Sequence, residues 1–275
     1  MTEKTWLRSQ IPAAQRDRLD AAIACARDAG SLLLASRGQV LQVKSKGLND
    51  VATHIDLASE KLIVDTLKSR FPEDGFLGEE NGQSGNSDAG RWIIDPIDGT
   101  DNFIHGIPDY TVSIAFQNSE GVLTVGVVNN PEQDELFYAA KDMGAYRNDT
   151  QISVSEIKDP SRALNLSAPP FRIHEKAAWY FSLMQRISLQ TWDDRNFGSA
   201  ALHLAYVACG RADSFYELGL KPYDIAAGVL ILQEAGGRCT GFSADENFMD
   251  TGRVVATNGL LHDWYLKQIK EFGES

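Results

Sequence analysis

Cysteine is scarce in this chain, which has three cysteines among 275 residues, namely Cys25, Cys209 and Cys239. Because their number is odd and their spacing wide, neither a disulfide framework nor a zinc cluster is expected, and buried thiols in a reducing compartment are the better interpretation. The chain also lacks an apolar N-terminal segment with a cleavage site, and it has no long charge-free run suited to a membrane span. These absences predict a cytoplasmic protein.

Positive charge is also in short supply, with 26 lysines and arginines against 38 acidic residues and a formal net charge of -12. This balance argues against a nucleic-acid surface, which neutralises phosphates with basic residues. An anionic substrate would need help from a bound cation. The hydrophobic fraction of 43% is ordinary for a globular protein, and the length allows one large domain or two tightly joined ones.

Apolar periodicity predicts helices at residues 12–36 and 53–71, separated by a short strand near 40–43 and a polar loop at 44–49. A strand at 75–80 should lead into a glycine-rich loop at 81–90. The remaining predicted elements are strands at 111–117, 122–129, 135–140, 163–167, 215–216 and 254–257, and helices at 174–189, 199–209, 224–233 and 260–270. This order predicts an α+β fold, expected as two packed halves, residues 1–150 and 151–275.

The stretch WIIDPIDGTDNF, which begins at Trp92, combines a buried-strand pattern with an acidic turn. The apolar run ends at Asp95, and a proline makes the chain bend before Asp98. Gly99 permits a backbone conformation that other residues avoid, and Thr100 is expected to be the N-cap of a short helix. A helix N-terminus beside clustered oxygens is a suitable place for a cation and a phosphate.

Three other acidic residues are candidates for the same site as this turn, namely Asp56, Glu79 and Asp224. Each has a structural alternative: Asp56 could lie on the wet face of its helix, Glu79 could be a solvated loop charge, and Asp224 could be a helix N-cap. Carboxylates that converge about 4 Å apart repel by about 4 kcal/mol at a surface-like dielectric constant, so a shared cleft would call for cations. Oxygen ligands alone favour magnesium or manganese over zinc.

Several motifs occur together in this chain: NDVATHID at residues 49–56, GEE at 78–80, WIIDPIDGTDNF, GSAALHLAYVACGRAD at 198–213 and PYDIAAG at 222–228. In this order and spacing they resemble the signatures of the inositol monophosphatase family of magnesium-dependent phosphatases. The resemblance implies a layered αβαβα sandwich of the inositol monophosphatase and fructose-1,6-bisphosphatase type. It also implies a homodimer, inhibition by lithium, and two or three Mg²⁺ ions, for which Mn²⁺ could substitute.

The resemblance implies a metal role for each acidic residue of the motifs. Glu79, Asp95 and the Ile97 carbonyl would hold a first ion, and Asp95, Asp98 and Asp224 would hold a second. A third, more weakly bound ion would contact Glu79 through water molecules, and Glu79 would therefore also be a catalytic residue.

The resemblance also implies the residues that act on the substrate. Thr100, with Asp56 behind it, would orient and deprotonate the attacking water. The amides of Gly99 and Thr100, next to Asp98, would cradle the phosphate. The wall that contacts the rest of the substrate would consist of Gly198, Ser199, Ala200 and Glu217.

Some positions depart from the family pattern. Asp101 stands where many relatives have threonine, and its charge should disfavour a second substrate phosphate nearby. His203 replaces a residue that is often acidic in bacterial relatives and is expected on the helix surface. The family's lysine before NDVATHID could be Lys44 or Lys46. The segment at 166–172 departs from the glycine-bearing loop that the family usually has near the substrate. The identity of the substrate is therefore least determined at this segment.

The resulting functional hypothesis is a magnesium-dependent phosphomonoesterase that hydrolyses inositol 1-phosphate or a similar small polyol phosphate. Fructose-1,6-bisphosphatase, 3',5'-bisphosphate nucleotidase and histidinol-phosphate phosphatase remain alternatives within the enzyme class. An alternative from another class is a protein-binding regulator of transcription, since some bacterial relatives bind the transcription machinery.

Overall fold

The computed structural model describes residues 11–39, 42–47, 50–170 and 172–273. Within these ranges no helix is both long and apolar enough to cross a membrane. The α-helices are, in chain order, α1 Ala13–Ala35, α2 His54–Arg70, α3 Thr100–His105, α4 Ala177–Ser188, α5 Ala200–Ala208, α6 Pro222–Glu234, α7 Phe248–Thr251 and α8 His262–Phe272.

The strands form a small hairpin and two larger sheets. They are β1 Val43–Gly47, β2 Asp50–Thr53, β3 Gly75–Gly78, β4 Gly82–Ser84, β5 Gly90–Asp98, β6 Thr111–Asn118, β7 Leu123–Asn130, β8 Glu135–Ala140, β9 Ala145–Arg147, β10 Thr150–Ile152, β11 Leu164–Ser167, β12 Asp193–Arg195, β13 Ser214–Leu218, β14 Arg238–Thr240 and β15 Arg253–Thr257. The eight-stranded sheet has the order β10-β9-β8-β7-β6-β5-β3-β4, and the five-stranded sheet has the order β12-β11-β13-β15-β14.

Both large sheets mix parallel and antiparallel pairs. In the eight-stranded sheet β3 and β5 are parallel, and the other neighbours are antiparallel. In the five-stranded sheet β11 runs parallel to β12 and β13, whereas β15 is antiparallel to β13 and β14. The parallel β3–β5 pair brings the carboxyl ends of these two strands to the same edge.

Alternating side chains along the strands supply apolar cores on both faces of each sheet. Trp92 and Ile94 face the core shared with α1 and α2, whereas Ile93 faces the core shared with α5 and α6. Phe215 of β13 lies in that second core, and Tyr216 faces α4 and α8. The layers are therefore α1 and α2, the eight-stranded sheet, α5 and α6, the five-stranded sheet, and α4 and α8. The predicted α+β fold of αβαβα type is confirmed.

The two long helices predicted in the N-terminal part are confirmed by α1 and α2. The Thr53 side chain caps α2 by accepting a hydrogen bond from the Ile55 amide at 3.1 Å. The predicted polar loop at 44–49 is wrong in part, because β1 occupies Val43–Gly47 and pairs with β2. Likewise, β4 pairs with β3 inside the predicted loop at 81–90. These short polar segments have little intrinsic preference for the strand conformation, and pairing with a neighbouring strand decides their structure.

In the C-terminal part the predicted helices and strands are confirmed, with one change at residues 174–189. There a 3₁₀ turn, His174–Lys176, precedes α4. Elsewhere the prediction missed the strands β9, β10, β12 and β14, which have only three residues each, and the four-residue helix α7. Segments of that length carry too few side chains to show alternation. The division into halves near residue 150 stays a prediction.

Candidate active site

The candidate site lies where β5 ends and α3 begins. The ladder between β5 and β6 is irregular between Asp95 and Asp98, so the chain bulges there and both carboxylates lie near the strand end. Gly99 has a φ of 95°, and a Cβ at this position would lie 3.1 Å from the Asp109 and Gly198 carbonyl oxygens. Only glycine fits both conditions. Gly99 is therefore the N-cap residue of α3, and the prediction that Thr100 is the N-cap was wrong.

Three buried carboxylates converge beside this turn. Asp95, Asp98 and Asp224 each offer a carboxylate oxygen, and these atoms lie within 4.8 Å of one another. Half-buried Glu79 lines the same cavity at the end of β3, where its amide donates to the Ile94 carbonyl at 3.1 Å. Sequence positions that are far apart thus contribute to one acidic cluster, and the solvated-loop alternative for Glu79 was wrong.

Asp224 lies in the first turn of α6 and is not its N-cap residue. The helix begins at Pro222, and Lys221 is its N-cap residue. Asp224 Oδ2 accepts hydrogen bonds from the Lys221 amide at 2.6 Å and from Arg172 Nη1 at 2.8 Å. The alternative that Asp224 is an N-cap was wrong, because Asp224 is the third residue of the helix and its carboxylate reaches back to the amide of the N-cap residue.

The electrostatics of the cluster favour a bound cation. Burial and the charges of Glu79, Asp98 and Asp224 raise the pKa of Asp95 well above its ordinary value. Burial and the Asp224 charge raise the pKa of Asp98 to about 7, although the Ser199 hydroxyl and the Ala201 amide donate hydrogen bonds to it. Converging, oxygen-only, buried ligands with repelling charges fit Mg²⁺ or Mn²⁺.

Stability should therefore fall with rising pH when no cation is present. Because the folded-state pKa of Asp98 is raised from 3.8 to about 7, the folded chain binds more protons than the unfolded chain in that window, and the advantage is lost as the pH rises through 7. The raised pKa of Asp95 acts in the same direction. Buried His203 and His262, whose pKa values are lowered from 6.5, oppose this trend only below pH 6.5.

We expect the free energy of unfolding in EDTA to be higher at pH 6.5 than at about pH 8 by at least about 1 kcal/mol. Urea titrations at the two pH values measure this difference. The Asp98→Asn variant, which lacks the titrating group, should show a smaller difference. A free energy of unfolding that does not change with pH in the wild type would contradict the raised pKa values of these buried, mutually repelling carboxylates.

Thr100 and Asp56 form the second part of the site. Thr100 Oγ1 lies 3.0 Å from Asp56 Oδ1 and 2.9 Å from the Ile97 carbonyl oxygen. A hydroxyl has one proton, so donation to Asp56 leaves the Ile97 carbonyl available to another partner. Asp56 is fully buried and accepts from the Thr53 amide at 2.7 Å and the Thr53 hydroxyl at 2.6 Å. The wet-face alternative for Asp56 was wrong.

The predicted substrate wall also borders the cavity, through Gly198, Ser199, Ala200 and Glu217. The Ser199 hydroxyl is committed to Asp98, to which it donates at 2.6 Å, and it also accepts from the Leu202 amide at the start of α5. Burial and the nearby Asp224 and Asp98 charges raise the pKa of Glu217 well above its ordinary value. A protonated Glu217 carboxyl could donate as well as accept a hydrogen bond.

The departures from the family pattern have distinct positions. Asp101 is exposed and lines the cavity mouth. His203 is buried rather than on the helix surface, so that prediction was wrong; its Nε2 accepts from the Phe197 amide at 2.9 Å, and burial lowers its pKa to about 3. Lys44 is exposed, and the Lys46 side chain lies outside the described part of the chain.

Two positioning residues were missed in the sequence. The buried Glu60 carboxylate accepts from the Glu80 amide at 2.8 Å and the Asn81 amide at 3.0 Å, and so fixes the segment that carries Glu79. Asn102 Nδ2 donates to the Phe197 carbonyl at 2.6 Å and so holds the segment before Gly198. A signal for Glu60 was present, because it lies one helical turn after Asp56 on the apolar face of α2.

A model of the inositol monophosphatase family matches residues 14–274. The chain belongs to the inositol monophosphatase family. It is 39% identical over 260 residues to a protein of Vibrio cholerae named Nus factor SuhB, covering 94% of this chain and 97% of that protein. A protein of the same name from Escherichia coli is 38% identical over 243 residues, which cover 87% of this chain and 91% of that protein.

Solved structures of family members have the same fold. The extragenic suppressor protein SuhB of Bartonella henselae superposes with a TM-score of 0.89 at 34% identity, covering 93% of this chain and 99% of that chain. The inositol monophosphatase of Anabaena superposes with a TM-score of 0.82 at 35% identity, covering 93% and 96%. The relatives thus carry two kinds of name, one for a phosphatase and one for a Nus factor.

Proposed function

We propose that this family member is a magnesium-dependent phosphomonoesterase acting on inositol 1-phosphate or a similar small polyol phosphate. The observation that carries the proposal is the convergence of Asp95, Asp98 and Asp224 within 4.8 Å, next to the Thr100–Asp56 hydrogen bond. An acidic cluster of this kind destabilises a protein unless cations neutralise it, so its presence is better explained by metal-dependent chemistry than by a structural role.

Glu79, Asp95 and the Ile97 carbonyl would hold one ion, and Asp95, Asp98 and Asp224 would hold the other. Bound Mg²⁺ polarises a phosphate and lowers the pKa of a water. A third ion near Glu79 and the use of Mn²⁺ belong to the same proposal. The residues of the chain would hold these charges in fixed positions, so that little reorganisation is needed when charge develops in the transition state.

Thr100 would orient the attacking water and take its proton at Oγ1 while passing its own hydroxyl proton to Asp56 Oδ1. Burial raises the pKa of Asp56, which makes this carboxylate a better proton acceptor. The amides of Gly99 and Thr100, at the start of α3, would donate to the phosphate oxygens near Asp98. Thr53 keeps Asp56 oriented through two hydrogen bonds to Oδ2.

The substrate preference follows from the charges at the cavity mouth. Asp101 is exposed at this mouth, and Glu217 is a buried carboxyl on the wall, so a neutral polyol fits better than a second phosphate. Gly198, Ser199 and Ala200 would complete the wall. This argument places fructose 1,6-bisphosphate and 3',5'-bisphosphate nucleotides behind inositol 1-phosphate. Histidinol phosphate has no second phosphate, so it stays an alternative that the substrate panel decides.

A substrate panel tests the proposal. With Mg²⁺ we expect faster phosphate release from inositol 1-phosphate than from the two bisphosphates, since these bring further negative charge to the acidic mouth. Histidinol phosphate completes the panel and tests whether a positively charged leaving group is accepted. EDTA should abolish the activity, and lithium should inhibit it, as expected for the family. Phosphate release from every substrate at no more than the rate without enzyme would refute the phosphatase proposal.

A second function is favoured by the names of the relatives, several of which are called Nus factor SuhB. We therefore also propose a protein-binding role in transcription. Pull-down with the wild type and with Asp98→Asn separates the two functions, because a binding surface outside the cavity should retain its partners in this variant. Absence of bacterial transcription proteins from both samples would count against this role.

The proposed homodimer should show twice the chain mass of 30.2 kDa in light scattering.

A further inference from the structure

Arg172 is the one arginine or lysine among the described residues that line the acidic cavity. Its Nη1 donates to Asp224 Oδ2 at 2.8 Å, and the arginine side chain is 33% exposed while that of Asp224 is 5% exposed. The guanidinium therefore reaches from the cavity wall onto a buried carboxylate that is a candidate metal ligand. The sequence motifs assign no role to this residue.

The contact engages one oxygen of Asp224 fully. Oδ2 accepts from both Arg172 and the Lys221 amide, and a carboxylate oxygen has about two lone-pair positions. The guanidinium is the positively charged partner of this buried carboxylate, since Nη1 and Oδ2 lie 2.8 Å apart. Arg172 thus brings positive charge to the acidic cluster.

We propose that Arg172 is the resident counter-ion of the candidate metal site and that a divalent cation binds at Asp224 in competition with its guanidinium. The inference rests on the proposed metal role of Asp224. A cation shared by Asp95, Asp98 and Asp224 would bring two positive charges close to a guanidinium that binds the same Asp224 carboxylate, and like charges repel.

The guanidinium has a place to move to. A neighbouring cavity is lined by Arg172, Lys221 and Asp250, among others, so the side chain borders two adjoining spaces. Asp250 is exposed in the second space, and its Oδ2 accepts a hydrogen bond from Asn247 Nδ2 at 2.6 Å. Cation binding would then release the Arg172–Asp224 ion pair, and the Arg172 side chain would set how tightly the Asp224 site holds its ion.

A purely structural role for the ion pair has the opposite consequence. If Arg172 only tied its own segment to the start of α6, its removal would loosen Asp224 and weaken cation binding. Competition predicts tighter binding after the removal of the arginine. The sign of the change in affinity therefore distinguishes the two roles.

The test is a titration of the metal-free full chain with Mn²⁺, with free Mn²⁺ measured by electron paramagnetic resonance. The ion at Asp224 is identified as the one lost in Asp224→Asn. We expect Arg172→Met to lower the dissociation constant of this ion about tenfold, and Arg172→Lys to stay nearer the wild type. Arg238→Met is the matched control, because Arg238 pairs with Asp263 at 2.9 Å on the surface, and its loss changes the net charge equally.

An unchanged or higher dissociation constant in Arg172→Met would overturn the competition. If Arg172→Met does not fold, Arg172→Gln provides the same comparison, with a folded far-UV spectrum as the criterion. If neither the wild type nor the arginine variants bind Mn²⁺, the proposed metal role of Asp224 fails, and the inference fails with it. Wild-type binding without an arginine effect overturns the inference alone.

Discussion

The Asp95→Asn variant should release phosphate at least about a thousandfold more slowly than the wild type, which corresponds to about 4 kcal/mol of transition-state stabilisation. Asp95 is the ligand that the two proposed ions share, so an amide at this position weakens both. The same variant should unfold less readily than the wild type in EDTA, by about 1 kcal/mol or more, because Asp95 is buried among Glu79, Asp98 and Asp224. Mg²⁺ should no longer stabilise it.

Steady-state phosphate release and urea unfolding in EDTA measure these two effects of Asp95→Asn. The matched control is Asp65→Asn, which removes an exposed carboxylate that pairs with Lys61 on α2. This control should change the free energy of unfolding by less than about 0.5 kcal/mol and leave the rate unchanged. A rate within about tenfold of the wild type for Asp95→Asn would refute the shared-ligand role.

The Trp92→Ala variant should lose about 3–5 kcal/mol of stability, the range for removing a large aromatic side chain from a core. Trp92 is fully buried, and its ring centroid lies 5.7 Å from that of Phe71 and 5.0 Å from that of Phe116. Its Nε1 donates to Asp74 Oδ2 at 3.0 Å, and Arg18 binds the same carboxylate. The substitution therefore opens a cavity and removes a buried hydrogen bond.

The urea midpoint of Trp92→Ala compared with the wild type tests this loss. Trp192→Ala serves as the control, because the Trp192 side chain is 70% exposed and its removal should cost less than about 0.5 kcal/mol. Trp92→Phe should fall between the two, since it keeps most of the ring volume but not the donor. Similar midpoints for Trp92→Ala and Trp192→Ala would show that β5 is not anchored through this tryptophan. Because β5 carries Asp95, the rate of phosphate release should also be lower in Trp92→Ala than in the wild type.

Much of this protein follows from local patterns. The helices α1 and α2 were predictable because apolar residues recur at helical spacing over many turns, and Thr53 marks the start of α2. The acidic turn after Trp92 was predictable because a buried strand, a proline and a glycine leave little conformational choice at its end. The family motifs then implied which carboxylates would matter. The convergence of Asp95, Asp98 and Asp224 in the structure agrees with that implication, and their metal roles stay predictions.

Other features depend on contacts between distant segments. The short strands β1 and β4 lie in predicted loops because their conformation comes from a neighbouring strand. The burial of Glu60 and His203 depends on what packs over them, which no window of sequence contains. Likewise, the ion pair of Arg172 with Asp224 exists only because α6 lies against the segment that carries Arg172.

The sequence therefore determined which chemical groups this chain brings to its site, since residue type and local backbone preference are encoded over a few neighbouring positions. The three-dimensional fold decided their charge state and their partners. Burial and the distance between carboxylates control both, because the pKa of Asp95 or Asp98 depends on solvent exclusion and on charges contributed by residues far away in the chain.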